Sequence, residues 1–132
     1  MEKTIEINGI NYNIDYNALS YVEHTKLFDR GVFEDVDVVD NFVTKQTLQT
    51  ANIKSKFPEI SEEAIVEQIS KFMRKDIDAF MQAITRLTYT GIRCVNRSFK
   101  SYEEWLMDIK EIKTNDKWIV EVAKLVVSSF CW

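Results

Sequence analysis

The sequence predicts a mainly α-helical protein with an N-terminal β-hairpin, a small helical bundle packed on two strands. Three observations carry this. Asn8-Gly9 separates two short alternating runs. Apolar residues recur at helical spacing from Ile65 to Thr88. The segment from Trp118 to Trp132 is apolar, with few breaks, at a length suited to a helix.

The hairpin is the clearest element. Thr4-Ile5-Glu6-Ile7 and Ile10-Asn11-Tyr12-Asn13-Ile14 flank the Asn-Gly pair, which suits a two-residue type I′ turn because both of its residues need positive φ. That turn pairs Ile7 with Ile10 and Ile5 with Tyr12. It places Ile5, Ile7, Ile10, Tyr12 and Ile14 on one face and Thr4, Glu6, Asn11 and Asn13 on the other. An isolated hairpin is marginal in water, so its apolar face is expected against helices.

A helix is expected from Asn17 to about Phe28, capped by Asp15 or Asn17, with Leu19, Tyr21 and Val22 as its apolar side and Gly31 ending it. The stretch from Val32 to Asp40 has an ambiguous period and reads as a short strand or as the approach to a helix from Asp40 to about Lys54. The second of these is preferred. Pro58, the one proline, marks a break. Ser61 then caps a helix whose first turn holds Glu62 and Glu63, where the helix dipole favours acids. Its stripe is Ile65, Ile69, Phe72 and Met73. A second stripe follows at Ile77, Phe80, Met81, Ile84, Leu87 and Thr88, with a joint or bend near Lys75-Asp76 and Gly91 near the end. Ser101-Tyr102-Glu103-Glu104 is a capping box opening a short helix with Trp105, Leu106, Ile109 and Ile112. Thr114 or Asn115 starts the last helix.

The chain has 132 residues, which suits one domain over 1–132, with the hairpin in 1–15 and helices in 16–132. Hydrophobic residues make up 45% and charged residues 29%, a globular balance. Net charge is −4 and the isoelectric point is near 5.1, which opposes general binding to nucleic acid or anionic lipid. No apolar run reaches the roughly 18 residues of a membrane span, and no signal peptide is visible. Cys94 and Cys131 do not form a secreted disulfide framework, so reduced thiols and an intracellular setting are expected.

Chemistry-bearing motifs are scarce, and no catalytic activity, cofactor or metal is expected. His24 is the one histidine, which leaves no His-based zinc site, and it reads as a half-exposed helix residue. The three glycines are isolated, whereas phosphate-cradling loops need them clustered. Asp35-x-Asp37 opens like a calcium loop, but Asp40 and Gln46 stand where the glycine and the bidentate glutamate belong, so a solvated acidic turn is the better reading. Glu104, Asp108 and Glu111 share a helix face on spacing but lack the histidines of a carboxylate di-metal bundle.

Charge is unevenly spread. Asp15, Glu23, Asp29, Glu34, Asp35, Asp37 and Asp40 outnumber Lys26 and Arg30 in the early segment. Arg86, Arg93, Arg97 and Lys100, interleaved with Tyr89 and Phe99, form a candidate basic patch. Such a patch could hold single-stranded nucleic acid, the alternative reading being a small phage or bacterial regulator. The last helix carries two apolar stripes. Ile119, Ala123, Val126, Val127 and Phe130 form one, and Trp118, Val122, Leu125 and Trp132 form another. A helix apolar on most sides is usually buried all round. At a domain edge, the second stripe is the candidate partner-binding surface, since Trp is enriched at binding hot spots.

Taken in order, these features resemble the tail assembly chaperones of long-tailed bacteriophages and of prophages of Gram-positive bacteria. The resemblance lies in the strand–Asn8-Gly9–strand hairpin, the entry Asp15-Tyr16-Asn17-Ala18-Leu19, and the helical middle after Pro58. It continues through Ser98-Phe99-Lys100-Ser101-Tyr102-Glu103-Glu104-Trp105-Leu106, Trp118 and the final Val/Leu-rich helix. It implies a non-catalytic protein of the host-cell cytoplasm, absent from the mature virion, that coats the helical tape-measure protein and helps bring tail-tube subunits to it. Many such proteins also have a longer form made by ribosomal frameshifting. Self-association is left open.

Overall fold

A computed structural model describes residues 2–130. Strands β1 (Lys3–Ile7) and β2 (Ile10–Ile14) pair antiparallel through the expected turn, with Ile7 opposite Ile10 and Ile5 opposite Tyr12. Asn8 and Gly9 take φ of 51° and 84°, the positive values a type I′ turn demands. Ile5, Ile7, Tyr12 and Ile14 are buried, but Ile10, beside the turn, overhangs the helices and stays half exposed.

Helices α1 (Leu19–Phe28), α2 (Val32–Lys56), α3 (Glu62–Phe72), α4 (Arg74–Val95), α5 (Tyr102–Asp108) and α6 (Lys117–Phe130) follow. The hairpin lies on α4 and α6, and α2 packs across α4 and α6. The tightest approach is where β2 meets α4. The Asp15 amide donates to the Gly91 carbonyl at 3.1 Å. A Cβ on Gly91 would collide with the Ile14 side chain and lie 3.1 Å from Cζ of Tyr16. Gly91 therefore sits inside α4, as a contact point for the hairpin.

Several expectations change. The helix beginning at Val32 rather than Asp40 has a simple cause: Val32, Asp35, Val36, Val39 and Phe42 are buried at helical spacing. The acid at Asp35 disguised that period. Glu34 caps the new start by accepting from the Gly31 amide at 2.7 Å. At the end of α1, Asp29 takes the left-handed C-cap position with φ 52°, leaving Gly31 in an extended conformation before α2.

Helix α1 turns a different face inward from the expected one. Ser20, Glu23 and His24 are buried, while Tyr21 and Val22 are exposed. The break between α3 and α4 falls at buried Met73, just before Lys75-Asp76. The Ser101–Glu104 capping box forms as read: the Glu104 amide donates to Ser101 Oγ at 3.2 Å and the Ser101 amide to Glu104 Oε1 at 3.3 Å. Helix α5 stops at Asp108, so Ile109 and Ile112 lie beyond it, and α6 starts at Lys117, after Thr114 and Asn115. Among the described residues no helix is long and apolar enough to cross a membrane.

Candidate functional site

The apolar character of α6 suggested that one stripe packs inward and another faces a partner. The structure divides the helix differently. Trp118, Ile119, Val122, Ala123, Val126 and Phe130 are all buried, so Trp118 and Val122 belong to the core and present no free surface. The reason is that α6 fits between β1, α2 and α4, which together cover more than one stripe. Leu125 is half-buried against the core, and Trp132 lies outside the described residues.

The apolar surface that α6 leaves open is on another side. Val120 is 41% exposed and Val127 partly so. With Ala123 they face Val43 of α2, and Phe80 of α4 also lines the space between. These side chains form a groove of about 320 Å³, with Ile119, Gln46, Thr114, Lys124 and Ser128 completing its lining. Phe80 is held by a stacked Phe42 ring, at 4.1 Å between centroids and 17° between planes. The residues open to the groove recur on α6 at Val120, Ala123, Lys124 and Val127, the i, i+3, i+4, i+7 spacing of one helix face. An apolar trough between two helices is a natural seat for a third helix.

The strongest polar feature is a buried ion cluster joining α1, α2 and α4. Asp35 is fully buried, so the reading of Asp35-x-Asp37 as a solvated turn is corrected. Arg86 Nε and Nη2 donate to its two carboxylate oxygens at 2.8 and 2.7 Å, and Arg30 Nε donates at 3.1 Å. The two Arg86 bonds make a bidentate pair, the strong form of this contact. His24 is buried as well, and is not the half-exposed residue expected. Its Nε2 is 2.7 Å from Asp35 Oδ2 and its Nδ1 is 2.7 Å from Thr90 Oγ1. An ionised carboxylate only accepts, so Nε2 donates to Asp35. Burial alone would raise the Asp35 pKa, but the hydrogen bonds from Arg86 and His24, with their charges, outweigh it and hold the carboxyl at about 2.

Thr90, His24 and Asp35 thus lie in the order hydroxyl, imidazole, carboxylate, as in a nucleophilic triad. All three are fully buried, Asp35 is shared with two guanidinium groups, and none of the three lines a principal cleft. The cluster ties helices together and offers no surface to a substrate.

The four residues of the candidate basic patch are not a free cationic face. Arg86 is bound to Asp35. Arg97 donates to buried Glu23 at 2.9 Å, and Arg93 lies 3.8 Å from the same carboxylate. Lys100 donates to Asp108 at 2.6 Å. The acidic early segment and the basic later one meet within the chain. Glu104 serves as the capping partner of Ser101, and Glu111 falls outside α5, so the carboxylate trio is not one face. No group of three or more potential metal-ligating side chains occurs among the described residues.

No family model, curated protein or solved structure matches the chain.

Asp35 drew notice in the sequence only as part of a failed calcium-loop match, and Val43 drew none. The signal that could have placed Asp35 was the run Val32, Val36, Val39, whose period puts Asp35 on the same inward face. No comparable signal marked the groove, because it depends on how α2 and α6 lie side by side.

Proposed function

We propose that this protein is a non-catalytic tail assembly chaperone. In this reading it binds the tape-measure protein of a bacteriophage or prophage, keeps it soluble, and helps bring tail-tube subunits to it, in the cytoplasm of the host cell. The observation that supports it best is the open apolar groove between α2 and α6, of about 320 Å³ and lined chiefly by aliphatic and aromatic side chains. A tape-measure protein is a long helix-rich chain, and an amphipathic helix would bury its apolar face in such a trough. The sequence features that resemble those of these chaperones point the same way, and the buried ion cluster anchors the first half of α2, beside the groove.

The test is co-expression with a bacteriophage tape-measure protein. The expected result is a marked rise in the soluble fraction of that protein and co-purification of the two. A paired Val120→Gln, Val127→Gln variant, altered only at groove positions that are not fully buried, is expected to lose both effects while keeping its helical content. No change in solubility and no co-purification with the unaltered protein would overturn the reading.

A further inference from the structure

Resting on the reading of the α2–α6 groove as a helix-docking site, we propose that Lys124 sets its specificity by selecting a helix that carries a carboxylate beside its apolar face. Lys124 is the one charged residue lining the groove and is exposed at its rim. Among the described residues it has no ion pair, whereas seven residues earlier on the same helix Lys117 lies 3.8 Å from Glu121. The chain as a whole is acidic, with net charge −4, yet no carboxylate lines this groove. The occupant therefore meets apolar walls and a single unpaired cation.

The ammonium group of lysine sits on a flexible stem whose methylenes can lie along apolar surface while the charge stays in water. Val120, Ala123 and Val127 take the aliphatic stripe of an incoming helix, and the Lys124 ammonium meets an Asp or Glu at the flank of that stripe. A helix flanked by lysine or arginine at the same point is disfavoured by like charge, which is how such contacts discriminate more than they strengthen.

Two synthetic helical peptides test this. Both carry leucines at i, i+3, i+4 and i+7; one has glutamates flanking the stripe and the other lysines. Binding to the intact protein is read by fluorescence anisotropy at low and at high salt. At low salt the glutamate peptide should bind about two- to fivefold more tightly, the range of an exposed ion pair, and salt should narrow the gap. Lys124→Gln should abolish the preference and Lys124→Glu should invert it, without loss of helical content. Equal binding of the two peptides, or a preference unchanged in Lys124→Glu, would overturn the role of Lys124 and leave the groove in place. Failure of both peptides to bind, or binding unaffected by Val120→Gln, Val127→Gln, would overturn the groove reading itself.

Discussion

The two halves of α2 behave as different objects. From Val32 to Phe42 the helix turns Val32, Asp35, Val36, Val39 and Phe42 into the core, and its one buried acid is tied to α1 and α4. From Val43 to Lys56 no residue is fully buried. The helix runs on beside α3, whose own buried residues are Ile65 and Ile69. Leu48, Phe57, Val66 and Phe72 are exposed in this second region. One helix thus serves as core wall at its start and as a thinly covered arm at its end, with the groove at the junction where Val43 and Gln46 face α6. Regions with few buried apolar contacts open at low free-energy cost, and binding surfaces are drawn from them. Buried charges and rings are concentrated around the first half of α2, and the groove lies where that half gives way to the thinly covered one.

The comparison can be broken most directly at Asp35. Asp35→Ala leaves buried His24 and half-buried Arg86 without their carboxylate, and should lower stability by about 3–5 kcal/mol in urea denaturation. A loss under about 1 kcal/mol would mean that the cluster does not hold the first half of α2. Next comes Gly91→Ala, which forces a methyl group into Ile14 and Tyr16. It should cost about 1–3 kcal/mol, read as a fall in thermal midpoint. In the arm, Ser61→Ala removes the hydroxyl that accepts from the Ala64 amide at 3.2 Å. A loss of about 1 kcal/mol is expected there. Leu48→Ser, on the exposed side of the arm, should change stability by less than about 0.5 kcal/mol; a larger loss would show that the arm is packed more tightly than described.

Acid sharpens the same contrast. The folded Asp35 pKa of about 2 lies below the value of about 3.9 for an unfolded aspartate. Its contribution to stability is then complete above about pH 4 and is lost as pH falls from there through about 2. Denaturation midpoints of the unaltered protein and of Asp35→Asn, measured across that window, should converge as pH drops. A constant separation would contradict the assignment of the low pKa to Asp35.

The sequence was most legible where local chemistry decides structure. The Asn8-Gly9 turn, its register, the Ser61 cap and the Ser101–Glu104 box all follow from a few adjacent residues. It was least legible where distant partners change what a residue wants. Helix α1 exposes Tyr21 and Val22 and buries Glu23 and His24, because Asp35 of α2, Arg93 and Thr90 of α4, and Arg97 in the turn after α4 arrive to pair with them. Carboxylates also pair with Arg86, Arg93, Arg97 and Lys100, so the charge that their spacing suggested is balanced within the chain although Arg97 and Lys100 stay exposed. Trp118 and Val122 were expected outside because α6 lies at the end of the sequence; the hairpin, α2 and α4 cover them instead. The open apolar positions, Val120 and Val127, were distinguishable from buried ones such as Val122 and Val126 only once the helix had neighbours.

The proposed docking of a tape-measure helix in the α2–α6 groove would cover both of its walls. Hydrogen–deuterium exchange of the intact protein, with and without the co-expressed tape-measure protein, tests it most directly. The predicted result is new protection confined to residues 43–46 and 120–128, the two walls of the groove, with the Asp35 cluster protected equally in both states. Protection elsewhere, for example across residues 86–100, with no change along those walls, would contradict it.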